Sequence, residues 1–194
     1  MSFKQELNKE ELREYPVSGF NGEINLIDSY DGLSEAASVL CRADTIGFDT
    51  ETRPSFKKGR KNTVSLLQLS TENQAFLFRL NRIGMPAELS ALLSDKSILK
   101  IGVAVHDDLK ALKSLRQFEE SSFIDLQDMV KKYGILSQGL SKLAAIVLGF
   151  RISKRHQVSN WESETLSEGQ LRYAATDAWV CLELYNKLRN GSEN

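Results

Sequence analysis

Cysteine is scarce in this chain. Cys41 and Cys181 stand far apart among 194 residues, outside any metal-type spacing. Two isolated thiols argue against a disulfide framework and fit a reducing, cytoplasmic setting. Long apolar runs are missing as well. No stretch approaches the ~18–20 residues that span a bilayer, so no membrane association is expected. The charged opening MSFKQELNKEELREYP has no apolar segment of the kind a secretory signal carries. There is no surplus of positive charge either: 25 basic and 26 acidic residues leave a net charge of −1. A protein that coats nucleic acid is usually basic overall, whereas one that grips only a strand end needs only a local basic surface. No strand pattern leads into a Gly-x-Gly-x-x-Gly turn, which disfavours a dinucleotide-binding dehydrogenase. Internal repeats and low-complexity tracts are also lacking, and only the closing NGSEN reads as a frayed tail.

What is present suits one globular domain. The hydrophobic fraction is 41%, enough for a sizeable core. After a polar lead-in, 24–29 (INLIDS) reads as a strand and 32–43 (GLSEAASVLCRA) as a helix. TIGFDTE (45–51) alternates like a strand, and the basic run RPSFKKGRKN after it reads as a loop. VSLLQLST (64–71) and AFLFRL (75–80) form a hairpin pattern around Glu72–Asn73. Residues 86–95 are helical, 98–105 (ILKIGVAV) an apolar strand and 106–115 helical again. Residues 123–134 (FIDLQDMVKKYG) and 140–150 read as two further helices. A last long helix follows Ser167 and Gln170, which stand at capping-box spacing, and stops at Gly191. The order of elements implies an α/β class, with a mixed sheet flanked by helices.

Three acidic groupings stand out. Asp49 and Glu51 lie at i, i+2 in a strand pattern, so both leave the same face. Adjacent carboxylates repel, and a hard divalent cation with oxygen ligands removes the repulsion; the plain alternative is a solvated pair. Tyr173 and Asp177 lie at i, i+4 on the last helix, above the apolar stripe Val180, Cys181, Leu184 and Leu188. An aspartate crowning such a stripe is either partly buried for a reason or a solvated helix-edge residue. Asp107 and Asp108 sit where a strand passes into a helix, a place that helix capping and the helix dipole also favour.

Taken in order, these residues resemble the DEDD superfamily of 3′-5′ exonucleases, which share a ribonuclease H-like fold. FDTET (48–52) is similar to its first motif, as in the proofreading domain of bacterial DNA polymerase I. IGVAVHDDLKAL (101–112) is similar to the second, with the acid directly before Leu109, and YAATDA (173–178) to the third in its tyrosine subclass. The stretch 159–188 most resembles the Werner syndrome-type exonuclease domain, and ribonuclease D more distantly. Over about 24–190 the resemblance implies an exonuclease domain, preceded by an extension (1–23) and followed by a short tail (191–194).

The resemblance implies metal-dependent hydrolysis of phosphodiester bonds at a 3′ end, releasing nucleoside 5′-monophosphates. It implies two Mg2+ or Mn2+ ions, with Asp49 bridging them, Glu51 and Asp177 on one and Asp108 supporting the other. Tyr173 orients the attacking water; with an ordinary pKa near ~10 it is a poor general base at neutral pH. The implied partner is nucleic acid with a single-stranded or recessed 3′ end, DNA being favoured over RNA. Ribonuclease D-like trimming of RNA and a catalytically silent nucleic-acid-binding module are the alternatives. The basic residues Lys57, Lys58, Arg60 and Lys61 follow the first motif and could neutralise substrate phosphates, or simply be solvated. Phe56 could stack on a base or pack in the core. Lys154 and Arg155 form a second, smaller basic pair. His106 and His156 have no role that the resemblance assigns.

Overall fold

A computed structural model describes residues 3–55 and 62–191. Its centre is one six-stranded sheet in the order β1-β4-β3-β2-β5-β6. The strands are β1 (Glu23–Ile27), β2 (Thr45–Thr52), β3 (Val64–Ser70), β4 (Gln74–Phe78), β5 (Leu99–Gly102) and β6 (Phe123–Asp125). Helices α1 (Lys9–Glu14), α2 (Leu33–Leu40), α3 (Leu80–Ile83), α4 (Ala87–Ser94), α5 (Val105–Leu115), α6 (Leu126–Lys131), α7 (Leu140–Leu148) and α8 (Glu168–Gly191) surround it. β2, β3 and β4 pair antiparallel, while β1 pairs parallel with β4, and β5 parallel with both β2 and β6. This is the mixed, helix-flanked α/β sheet expected, and no helix among the described residues is long and apolar enough to cross a membrane.

The sheet's middle strands are covered on both faces. Every residue of β3, VSLLQLS, is buried, as befits a central strand covered on both sides. Successive side chains point to opposite faces. Leu67, Leu69, Phe76 and Phe78 therefore join Phe48 in a core under α2, α4 and α5. Leu66 and Leu77 turn the other way, towards Ala174 and Ala175 of α8. The turn between β3 and β4 closes with Thr71 N–H donating to the Gln74 carbonyl at 2.8 Å.

Two expectations need correction. Residues 123–125 do not begin a helix; they are β6, paired with Lys100–Gly102 of β5. Aromatic and β-branched Phe123 and Ile124 suit a strand. Asp125 then caps α6, its carboxylate accepting from the Gln127 N–H. The strand expected over 98–105 also stops early, at Gly102, and α5 starts at Val105. Between them Ala104 takes a left-handed conformation with φ 57°. Asp125 stabilises this break as well, accepting from the N–H groups of Ala104 and Val105 at 3.1 and 3.2 Å. One carboxylate thus fixes where α5 begins, and with it the position of Asp108 in the first turn.

The expected capping box of α8 is realised: Ser167 N–H donates to Gln170 Oε1 at 3.0 Å, and Gln170 N–H to Ser167 Oγ at 3.3 Å. α8 then lies directly on β2. A Cβ at Gly47 would meet the Ala178 carbonyl oxygen at 1.9 Å, so no side chain fits there. Gly47→Ala must push helix and strand apart, at a cost of roughly 1–3 kcal/mol, as for other overpacked sites. Urea titration of the variant should show a lower midpoint than wild type. An unchanged midpoint would mean that the helix does not rest on this strand.

Candidate active site

The contact at Gly47 sets the geometry of the acids. Gly47, Asp49 and Glu51 alternate onto the α8 face of β2. On α8, Asp177 precedes Ala178, the residue that touches Gly47, and Tyr173 lies one turn earlier. Asp49, Glu51 and Asp177 consequently each present an oxygen within 4.8 Å of the others. Asp177 is only 5% exposed, and its Oδ1 is buried without a hydrogen-bond partner.

Thr50 points to the opposite face of β2, towards α5, and its hydroxyl donates to Asp108 Oδ1 at 2.5 Å. Asp108 is half-buried and lines the same cavity as the three clustered acids; Asp107 beside it is exposed. That cavity has a volume of about 470 Å³, and Tyr173 and Lys154 also line it. Asp49, Glu51, Asp108, Tyr173 and Asp177, distant in sequence, thus share one cleft. Lys57, Lys58, Arg60 and Lys61, together with Phe56, lie outside the described residues.

Electrostatics give this cleft its character. Burial, and then repulsion from the other acids, raises Asp49 well above the usual carboxylate range. The same two causes push Glu51 up to about 9. Burial raises Asp177 to about 7 against the opposing pull of the Tyr173 hydroxyl and the Lys154 ammonium. Burial also raises Asp108 to about 6, and the Thr50 hydrogen bond holds it from rising further. Tyr173 is pushed far above its ordinary value by burial and by Asp177 and Glu51, so its hydroxyl keeps its proton. Four carboxyls that resist ionisation in one cleft call for a cation. The donors are all oxygen, the set that hard divalent ions take, and the unpartnered Asp177 Oδ1 supplies a free lone pair. The residues present fit such an ion.

Thr50 and Trp161 were not assigned a role from sequence. Thr50 could have been found from its place between two acids, on the opposite face of the strand. Trp161 is fully buried, with its ring 6.1 Å from that of Tyr173. Its indole N–H favours the ionised form of Glu51 without reaching hydrogen-bond geometry. The loop that carries Trp161 is pinned from behind. Buried Arg79, at the end of β4, donates to the carbonyls of Ser163 and Glu164, and Arg82 also donates to Glu164. On the near side, Arg53 pairs with Glu162 at 3.0 Å. Nothing in the residue pattern marks this support, because it joins segments about 85 residues apart.

Residues 24–193 match the family model described as 3′-5′ exonuclease. The chain belongs to the 3′-5′ exonuclease family. Its exonuclease sequence is 36% identical over 189 residues to the mouse bifunctional 3′-5′ exonuclease/ATP-dependent helicase WRN, covering 90% of this chain and 13% of that protein. The fold superposes on the Nibbler EXO domain of Aedes aegypti with a TM-score of 0.79 and 29% identity, covering 90% of this chain and 92% of that one. Escherichia coli RNase D, an exoribonuclease involved in structured RNA processing, gives a TM-score of 0.79 at 25% identity, covering 90% of this chain and 46% of that one. These neighbours carry ribonuclease H-like exonuclease domains, and the family works with divalent metal ions.

The raised carboxyls of this exonuclease make its stability depend on pH. Folded, they hold protons that the unfolded chain has already lost, so the folded state binds more protons than the unfolded state. Stability without metal should therefore fall as pH rises from about 4, where free carboxyls ionise, to about 9, where Glu51 ionises in the fold. Divalent ions should reverse that loss and release protons on binding. Thermal melts in EDTA across that range, and calorimetry of Mn2+ binding in two buffers of different ionisation enthalpy, measure both effects. Proton uptake on binding, or rising stability in EDTA, would contradict the assignment.

Proposed function

We propose that this domain removes nucleotides one at a time from the 3′ end of a DNA strand, single-stranded or recessed, releasing nucleoside 5′-monophosphates. The observation that carries the reading is the cluster of Asp49, Glu51 and Asp177, with Asp108 and Tyr173 in the same cleft. Asp49, Glu51, Asp177 and Asp108 would hold two divalent ions, Mg2+ or Mn2+. Bound there, such ions supply an activated water and neutralise the charge that builds on the phosphate. The protein's own part is placement. Thr50 fixes Asp108, and the crossing of α8 over β2 fixes Asp177 against Asp49. Tyr173, held protonated, can donate from its hydroxyl and so orients a water without removing its proton. Trp161 backs the tyrosine ring. The choice of DNA is part of this proposal and follows the resemblance of residues 159–188 to the Werner syndrome-type exonuclease domain. The RNase D fold is the specific observation in favour of RNA.

The test is to incubate purified protein with 3′- and 5′-labelled DNA and RNA strands in Mg2+, Mn2+ or EDTA. A ladder shortening from the 3′ end only with metal, faster on DNA, is expected. Faster loss of matched RNA would make the domain an RNA trimmer. Asp49→Ala should abolish cleavage, while the metal-free fold holds or gains stability, because one source of repulsion is gone. Near wild-type cleavage by that variant would remove the metal site. Tyr173→Phe should lower kcat by roughly 10²-fold, the scale of a positioned proton-handling group, with little change in strand affinity. Equal turnover would leave Tyr173 a packing residue.

A further inference from the structure

Behind Tyr173 lies a second cavity, of about 450 Å³. The segment 152–157 separates it from the catalytic cleft. Ile152, Lys154 and Gln157 line the cleft, while Ser153, Arg155 and His156 line the second cavity. Tyr173 borders both. The far wall is the strap Val17–Asn21, which is fastened at several points. Arg151 N–H donates to the Pro16 carbonyl at 2.9 Å, Ser18 N–H to the Arg151 carbonyl at 3.1 Å, and Phe20 N–H to Thr176 Oγ1 at 3.0 Å. A Cβ at Gly19 would lie 2.8 Å from Thr176 Oγ1, so the strap lies flush against α8. A Cβ at Gly169 would lie 2.6 Å from His156 Nε2, so the imidazole rests on the first turn of α8. The walls are therefore fixed by packing and by backbone hydrogen bonds.

The lining of this cavity is the reverse of the catalytic one. Among the described residues no carboxylate lines it, and two guanidiniums do. Arg172 is held in place by the Phe20 carbonyl at 3.1 Å and by Asn21 Oδ1 at 3.3 Å, with Glu168 at 3.4 Å. The Arg155 side chain is exposed, and no ion pair among the described residues engages it. Beside these charges are an apolar edge at Val17, 55% exposed, and the His156 ring, set edge-on to Tyr173 at 6.4 Å. Two guanidiniums in one cavity match a phosphate, and an apolar side chain with a flat ring matches a base. The volume falls in the range of ligand pockets.

We propose that this second cavity binds one nucleotide unit, with its phosphate on Arg155 and Arg172 and its base against Val17 and His156. The unit comes either from within the bound strand or from a free nucleoside 5′-monophosphate. The choice of a nucleic-acid ligand rests on the exonuclease reading; the anion-binding lining does not.

Binding is read without catalysis by titrating adenosine 5′-monophosphate, and its deoxy form, into Asp49→Ala protein in EDTA, followed by calorimetry. Arg155→Glu should weaken binding about tenfold, the scale of one lost charge-assisted hydrogen bond. Val17→Trp should weaken it as well, by filling the cavity with the charges intact. Both side chains are exposed, so matching melting curves would show that the fold survives. With otherwise wild-type enzyme, strands of graded length separate the two sources. If the strand supplies the unit, Arg155→Glu raises KM for long strands and not for dinucleotides. If the free nucleotide does, added monophosphate alters the rate of wild type and not of Arg155→Glu, at every length. Unaltered nucleotide affinity in both variants would overturn the site. The exonuclease reading is decided separately, by cleavage in wild type and its loss in Asp49→Ala.

Discussion

The crossing of α8 over β2 at Gly47 is the contact on which the site depends. Four carboxyls in one cleft repel each other and resist burial, so nothing about the acids themselves draws them together. They are brought together by backbone against backbone: Ala178 lies where a side chain at Gly47 would have to go. The apolar face of α8, with Ala174 and Ala175 against Leu66 and Leu77, supplies the burial that holds the helix there. The free energy of the core thus stabilises an arrangement that is electrostatically unfavourable without a cation.

The support around the site divides the work between charge and shape. Thr50 and Asp125 are small polar residues that fix geometry by hydrogen bonds, the first directly to Asp108 and the second through the start of α5. Trp161 fixes it by bulk, filling the space beside Tyr173. Arg79, Ser163 and Glu164 then fix Trp161. Arg79 is a fully buried cation whose guanidinium donates to backbone carbonyls rather than pairing with an acid. A carboxylate partner there would have added one more negative charge on the loop that flanks Glu51. The carbonyls take up both terminal nitrogens without adding net charge, while Nε is left without a hydrogen-bond partner.

Much of the fold was legible in the residues. The apolar run of β3, the hairpin to β4 and the capping box of α8 each follow from local pattern, and local pattern reports which faces are apolar. The misplaced pieces lay where a tertiary partner overrode it. Phe123–Asp125 looks like the first turn of a helix until β5 offers it a parallel neighbour. The strand expected to run to Val105 ends at Gly102, because Asp125, from the next strand, captures the two N–H groups beyond it.

The sequence by itself determined the chemistry available: the acids Asp49, Glu51, Asp108 and Asp177, the tyrosine one turn before the last of them, and their order along the chain. Spacing of two in a strand and of four in a helix makes each pair share a face, since that depends only on local backbone geometry. Only the tertiary structure decided that the faces meet. It also decided that Thr50 reaches Asp108, that Trp161 stands behind Tyr173, and that a strap from residues 17–21 closes a second cavity across α8. Two of those contacts join segments far apart in the chain: 58 residues for Thr50 and Asp108, and 156 for Phe20 and Thr176. No periodicity spans such distances; they are fixed by how one helix packs on one strand.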